Sequence, residues 1–140
     1  MTQDFSGKLA IITGGGCGMG KAFGRAIVDR GGRVILADIN GAAAQAAASE
    51  IGASAHPLTL DVASERAVET SFTEVAERLG GIDILINNAG IHAKQAAQGF
   101  GVMGLSAARR MFEVNMWGVI HCCLSARPFM AARNGAAIIN

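Results

Sequence analysis

Thr13-Gly14-Gly15-Gly16-Cys17-Gly18-Met19-Gly20 follows the run Lys8-Leu9-Ala10-Ile11-Ile12 and opens a helical pattern. Strand, glycine turn and helix in that order predict a cradle for a pyrophosphate. Glycines carry no Cβ, so the backbone can turn tightly and a phosphate can come close to it. The helix, beginning near Gly18, offers N–H groups without intrahelical partners and the positive end of its dipole to the anion. A Gly-x-Gly by itself is a weak signal. Its position between a strand and a helix is the context the motif requires.

Arg33-Val34-Ile35-Leu36-Ala37-Asp38 reads as a second buried strand ending in a carboxylate eighteen residues past Gly20. In a dinucleotide-binding fold such an acid accepts hydrogen bonds from the adenosine ribose hydroxyls. It also repels a 2′-phosphate. Ile39 and Cys17 supply no cation to bind one, so the pattern points to NAD rather than NADP. The structural alternative for Asp38 is a strand-end turn residue, and Asp61 leaves that alternative more open.

Strand and helix alternate along the rest of the chain. A helix with Met19, Ala22, Phe23, Ala26 and Ile27 on one stripe is expected after the glycine turn, stopped by Gly31-Gly32. A second, alanine-rich helix runs from Ala42 to Ile51. His56 to Leu60 reads as a short third strand, weakened by Pro57 and ending at Asp61-Val62. Ser64 caps a third helix with Val68, Phe72, Val75, Ala76 and Leu79 at helical spacing, ended by Gly80-Gly81. Ile82 to Ile86 is the fourth strand, and a long loop, Ile91 to Leu105, leads to a helix from about Ser106 to Arg133. Ala136 to Asn140 begins a fifth strand. Helices between strands imply right-handed crossovers and a Rossmann-type, doubly wound parallel sheet of the α/β class. About five strands are expected, with the sheet incomplete in the fifth.

With 140 residues the chain can bury a core, and the length favours one domain. Apolar residues make up 51% and charged residues 16%, the balance of a sheet covered on both faces. A net charge of +1 without a basic run points to neither nucleic acid nor an anionic membrane. No apolar stretch reaches membrane-spanning length, and the first residues do not read as a signal peptide. Cys17, Cys122 and Cys123 lack metal-ligand spacing and read as reduced thiols of a cytoplasmic protein. Cys17 reads as a loop filler, His92 as a solvated loop residue, and His121 as a packing or interface residue. Trp117 is assigned to core or dimer surface.

Thr13-Gly14-x-x-x-Gly18-x-Gly20, Asp38, Asp61-Val62, Asn87-Asn88-Ala89-Gly90 and Asn115 resemble, in order and spacing, the short-chain dehydrogenase/reductase family. The resemblance runs the whole length of the chain. It implies that Gly14, Gly16, Cys17, Gly18, Met19 and Gly20 line the cofactor diphosphate and its ribose. Asp38 takes the adenosine ribose, Asp61 and Val62 flank the adenine, and Asn88, Ala89 and Gly90 run beside the cofactor. Asn87 is assigned to bracing of strands, Asn88 to cofactor contact. By the same resemblance, Asn115 belongs to a catalytic tetrad with Ser, Tyr and Lys, in which it maintains a water-linked proton path to the Lys. An Asn within a helix calls for such a reason, and a buried helix kink is the structural alternative.

The departure from that family is the absence of any tyrosine among the 140 residues. The family's acid/base Tyr, whose unperturbed pKa of about 10 needs lowering by its neighbours, has no counterpart. Residues 1–140 are therefore expected to be the NAD-binding portion of a single domain, lacking the catalytic Ser, Tyr and Lys and the substrate segments on the C-terminal side. They are expected to be catalytically silent alone, with Ile138 and Ile139 exposed at a sheet edge. The intact protein is expected to move a hydride between NAD(H) and an alcohol or ketone, as a homo-dimer or homo-tetramer. The long helix carrying Val114, Gly118, Cys122 and Phe129 could serve the subunit contact or simple packing on the sheet. The alternatives are a non-catalytic NAD-binding or interaction protein and an S-adenosylmethionine methyltransferase. The latter explains neither Asn88-Ala89-Gly90 nor Asn115.

Overall fold

The computed structural model describes residues 4–92 and 104–140. Five parallel strands, β1 (Leu9–Thr13), β2 (Arg33–Asp38), β3 (Ala55–Thr59), β4 (Ile84–Ile86) and β5 (Ala137–Ile139), lie in the order β3-β2-β1-β4-β5. Their residues alternate between two cores. Leu9, Ile11, Ile35, Ala37 and Leu85 meet helices α3 (Glu65–Leu79) and α5 (Gly118–Met130) on one face. Ala10, Ile12, Val34, Leu36, Ile84 and Ile86 meet α1 (Gly18–Val28) and α2 (Gly41–Ile51) on the other. Burial on both faces is why the strands read as unbroken apolar runs. Pro57 sits on β3, the outer strand on its side, where a missing N–H costs no ladder bond.

Local chemistry sets the helix ends. Asn40 Oδ1 accepts from the Ala43 N–H and Ser64 Oγ from the Ala67 N–H, capping α2 and α3. Gly80, at φ +88°, closes α3.

The stripe expected on α1 coincides with its buried face only at Ile27. Met19 is 71% exposed and Phe23 is also exposed, whereas Gly20, Gly24 and Ile27 are buried. The helix lies so close to β1 and β2 that glycines form its contact. A Cβ on Gly24 would stand 2.8 Å from Leu36 Cδ2. Phe23 and Ala26 instead help line an apolar cavity of about 380 Å³ over Ile84, Ile86 and Ile139. The long C-terminal helix also differs from expectation. It begins as α4 (Leu105–Phe112), passes through a π-helical turn (Glu113–Trp117), and continues as α5, which ends before Arg133. β4 is shorter than the run that suggested it. β5 pairs with β4 and is the outer described strand, with Ile138 and Ile139 exposed. Of the expected loop Ile91 to Leu105, residues 93–103 lie outside the described residues, Gly99 and Gly101 among them.

Asp83, which sequence reading passed over, is 1% exposed. Its Oδ2 accepts from the Leu9 N–H at 2.9 Å, and Arg133 grips both its oxygens at 2.8 and 3.0 Å. This pair ties the start of β1, the entry to β4 and the end of α5. Burial opposes the charge on Asp83, but Arg133, the Leu9 N–H and Lys8 outweigh it and hold the carboxyl below its ordinary range. The stabilisation is therefore fully present above the unfolded carboxyl pKa, about 4. It is lost as pH falls through the lower folded value. We expect Asp83→Asn to cost about 3 kcal/mol at neutral pH, the low end for breaking a buried pair. In urea melts the gap to wild type should close only below about pH 4. A constant gap down to pH 2 would contradict the assignment.

Candidate functional site

The strand order reverses between β1 and β4, and parallel α/β sheets bind ligands outside the carboxyl ends of strands at such a point. A cleft of about 410 Å³ opens there. It is lined by Gly14, Cys17, Gly18 and Met19 after β1, Asp38 and Ile39 after β2, and Leu60, Asp61 and Val62 after β3. Asn88, Ala89, Gly90 and Ile91 after β4, and Arg110 and Val114 from the long helix, complete it.

Thr13 ties the two central strand ends together. Its buried Oγ1 accepts from the main-chain N–H groups of Asn88 and Ala89 at 3.1 and 3.0 Å. The Asn88 side chain returns the tie, its Nδ2 donating to the carbonyls of Thr13 and Gly14 at 3.0 and 3.1 Å. Asn88 lines the cleft, but its amide braces the glycine turn, a role expected of its neighbour. Asn87 does brace strands: its N–H donates to the Ile139 carbonyl and its Nδ2 to Asn140 Oδ1.

The glycines of the turn differ in kind. Gly18 has φ +53°, and a Cβ there would meet nothing within 4 Å. Within the protein its requirement is conformational. Gly20 is the most crowded, because a Cβ would strike the Gly14 carbonyl oxygen. Gly16 and Gly20 stand behind the lining. Gly16 donates its N–H to Asp38 Oδ2 at 2.9 Å. Asp38 Oδ1 accepts from the Asn40 N–H, so the carboxylate is fixed at the cleft with lone pairs to spare.

At the far end, Asp61 Oδ1 accepts from the Ala63 N–H and Oδ2 from Arg110 at 2.9 Å. Burial opposes the charge on Asp61, but Arg110 and the Ala63 N–H outweigh it and hold the carboxyl below its ordinary range. Sequence reading missed Arg110, since no motif marks a residue 49 positions from its partner.

Asn115 lies in the π-helical turn, outside the cleft lining. Its amide pairs fully with Ile91, Oδ1 accepting from the Ile91 N–H and Nδ2 donating to the Ile91 carbonyl, both at 2.8 Å. The reason for an Asn inside this helix is thus visible: it clamps the segment leaving β4, beside a local irregularity of a kind frequent at functional sites. Trp117 is half exposed and stacks on His121, whose Nδ1 lies 3.0 Å from the Val62 carbonyl oxygen. His92 and Cys17 are exposed. Burial, followed by the neighbouring Cys123, pushes the Cys122 thiol up to about 12.

The sheet and its switch-point cleft define a Rossmann-type α/β protein. A family model described as short chain dehydrogenase matches residues 8–140, and the chain belongs to that family. It is 38% identical over 135 residues to a sorbitol dehydrogenase of Cereibacter sphaeroides, covering 96% of this chain and 52% of that protein. It is 41% identical over 140 residues to a probable short-chain type dehydrogenase/reductase of Bradyrhizobium diazoefficiens, covering 97% and 50%. A 3-ketoacyl-(acyl-carrier-protein) reductase from Brucella melitensis, solved in complex with NADH, superposes with a TM-score of 0.85 at 31% identity. That match covers 90% of this chain and 51% of that one. The chain spans about half the length of the curated relatives it matches.

The turn geometry is testable. Gly20→Ala should lower the melting temperature clearly more than Gly18→Ala, which carries only left-handed backbone strain of about 1–2 kcal/mol. The reverse order in thermal melts would show the turn to be wrongly built.

Proposed function

We propose that this chain is the cofactor-binding portion of an oxidoreductase that moves a hydride between NAD(H) and a small alcohol or ketone. The cleft at the switch point carries the reading, because it gathers the glycine turn, Asp38, Asp61 and Asn88-Ala89-Gly90 at four strand ends. The site fits the group. Open space at Gly18 leaves the helix N-terminus approachable by a diphosphate, and Asp38 keeps lone pairs for ribose hydroxyls. Asp61 and Val62 would flank the adenine, and Ala89 and Gly90 would let the ring system lie against the end of β4. When bound, the nicotinamide supplies the hydride acceptor or donor. Relatives named as sugar-alcohol dehydrogenases support a polyol-like substrate class.

Asn115 acts in this reading as a positioning residue, through its clamp on Ile91. The 140 residues hold no tyrosine, so a tyrosine acting on the substrate oxygen would come from outside them. A homo-oligomer is the natural assembly for the outer face of the long helix. Phe112, Met116, Ile120 and Leu124, four residues apart, are all exposed there, while Val114, Gly118 and Cys122 face inward and serve packing. No helix among the described residues is long and apolar enough to cross a membrane.

NADH should bind roughly 100-fold more tightly than NADPH, since a 2′-phosphate would lose the Asp38 contact and meet its charge. Fluorescence titration with both cofactors tests this, and tighter NADPH binding would reject the assignment. Asp38→Ala should narrow the gap. In the active protein, Asn115→Ala should lower kcat more than it weakens NADH binding. An equal loss in both would remove Asn115 from the reacting end of the cleft.

A further inference from the structure

Arg110 is the one arginine or lysine lining the cleft among the described residues, and it faces two carboxylates. One guanidinium nitrogen donates to Asp61 Oδ2 at 2.9 Å, and another lies 3.5 Å from Glu113 Oε2, three residues along the helix. The fork holds the side chain across the gap between the long helix and the end of β3. Ile39, Leu60, Val62 and Val114 are apolar residues lining the same cleft as Asp61. A planar base entering there would take the Asp61 carboxylate out of water. An unpaired carboxylate pays heavily for that transfer, whereas one already gripped by a guanidinium stays paired and keeps a fixed direction. Each Asp61 oxygen retains a lone pair after its bonds to Ala63 and Arg110, so the carboxylate can still accept from an amine.

We propose that Arg110 is a positioning residue for the adenine end of the cleft, holding the Asp61 carboxylate paired and aimed while the base covers it. The inference rests on the cleft being the NAD site. It adds a specificity element that acts through Asp61 and requires no contact between Arg110 and the reacting atoms. An alternative physical effect is a general one, in which Arg110 merely offsets the negative charge of Asp38 and Asp61 toward any anion.

Three probes separate these. NADH and ADP-ribose carry adenine, and reduced nicotinamide mononucleotide carries a comparable negative charge without it. Binding of each to the purified protein is measured calorimetrically for wild type, Arg110→Ala, Asp61→Asn and the double variant, with circular dichroism confirming the fold. Arg110→Ala should weaken NADH and ADP-ribose about 10-fold and leave the mononucleotide unchanged. In the Asp61→Asn background the same change should have little further effect, because the group it serves is gone. Unchanged NADH binding in Arg110→Ala, an equal loss for the mononucleotide, or a full 10-fold loss in the Asp61→Asn background would each overturn the role of Arg110 and leave the NAD reading standing. Wild-type protein that binds neither NADH nor ADP-ribose would overturn both.

Discussion

The Thr13 hydroxyl holds the carboxyl ends of β1 and β4 together, and the cleft depends on that tie. β1 and β4 are neighbours in the sheet, yet the chain leaves them toward opposite faces, to α1 from one and toward the long helix from the other. The two exits must diverge without separating the strands. The main-chain ladder does not do this, since its last paired residues are Ile12 and Ile86. A short buried hydroxyl does: it accepts from two consecutive N–H groups of the β4 exit while its own backbone belongs to β1. Asn88 completes the tie by donating to the carbonyls of Thr13 and Gly14. With these groups satisfied, the strand ends are held together and the cleft opens above them.

Close packing of α1 follows from the same economy of side chains. Gly20 lies under the Gly14 carbonyl and Gly24 under Leu36, so the helix N-terminus sits directly above the end of β1. Larger residues at these points would lift the helix and widen the turn. Phe23 and Ala26 are consequently turned aside, toward Ile84, Ile86 and Ile139, and the helix holds to the sheet through its glycines and Ile27. On the other face α3 packs in the ordinary way, with Val68, Phe72, Val75 and Ala76 filling the core against β1 and β2. The two faces thus do different work: one fills volume, the other sets a distance.

Charge is distributed with comparable restraint. The cleft contains two carboxylates, each already held by a main-chain N–H, and the arginine that pairs with one of them. Asp83 at the opposite end of the sheet is buried, and Arg133 and the Leu9 N–H keep it charged. Both acids at the cleft are half-buried, placed where a ligand could use them.

The local pattern was enough to read the parallel α/β class, the boundaries of most strands to within one residue, the caps at Ser64 and Gly80, and most of the cleft lining. These follow from short-range rules: apolar runs make strands buried on both faces, glycines permit a turn, and acids at strand ends fall on one edge of a parallel sheet. The sequence alone did not disclose which face of α1 is buried, because a glycine contact face has no hydrophobic signature. Nor did it disclose the π-helical turn, the bracing role of Asn88, the clamp of Asn115 on Ile91, or the pairs Asp61–Arg110 and Asp83–Arg133. Apart from the π-helical turn, each of those joins residues dozens of positions apart through side-chain geometry. Such partners are chosen only when the strands have been set side by side and the helices laid across them.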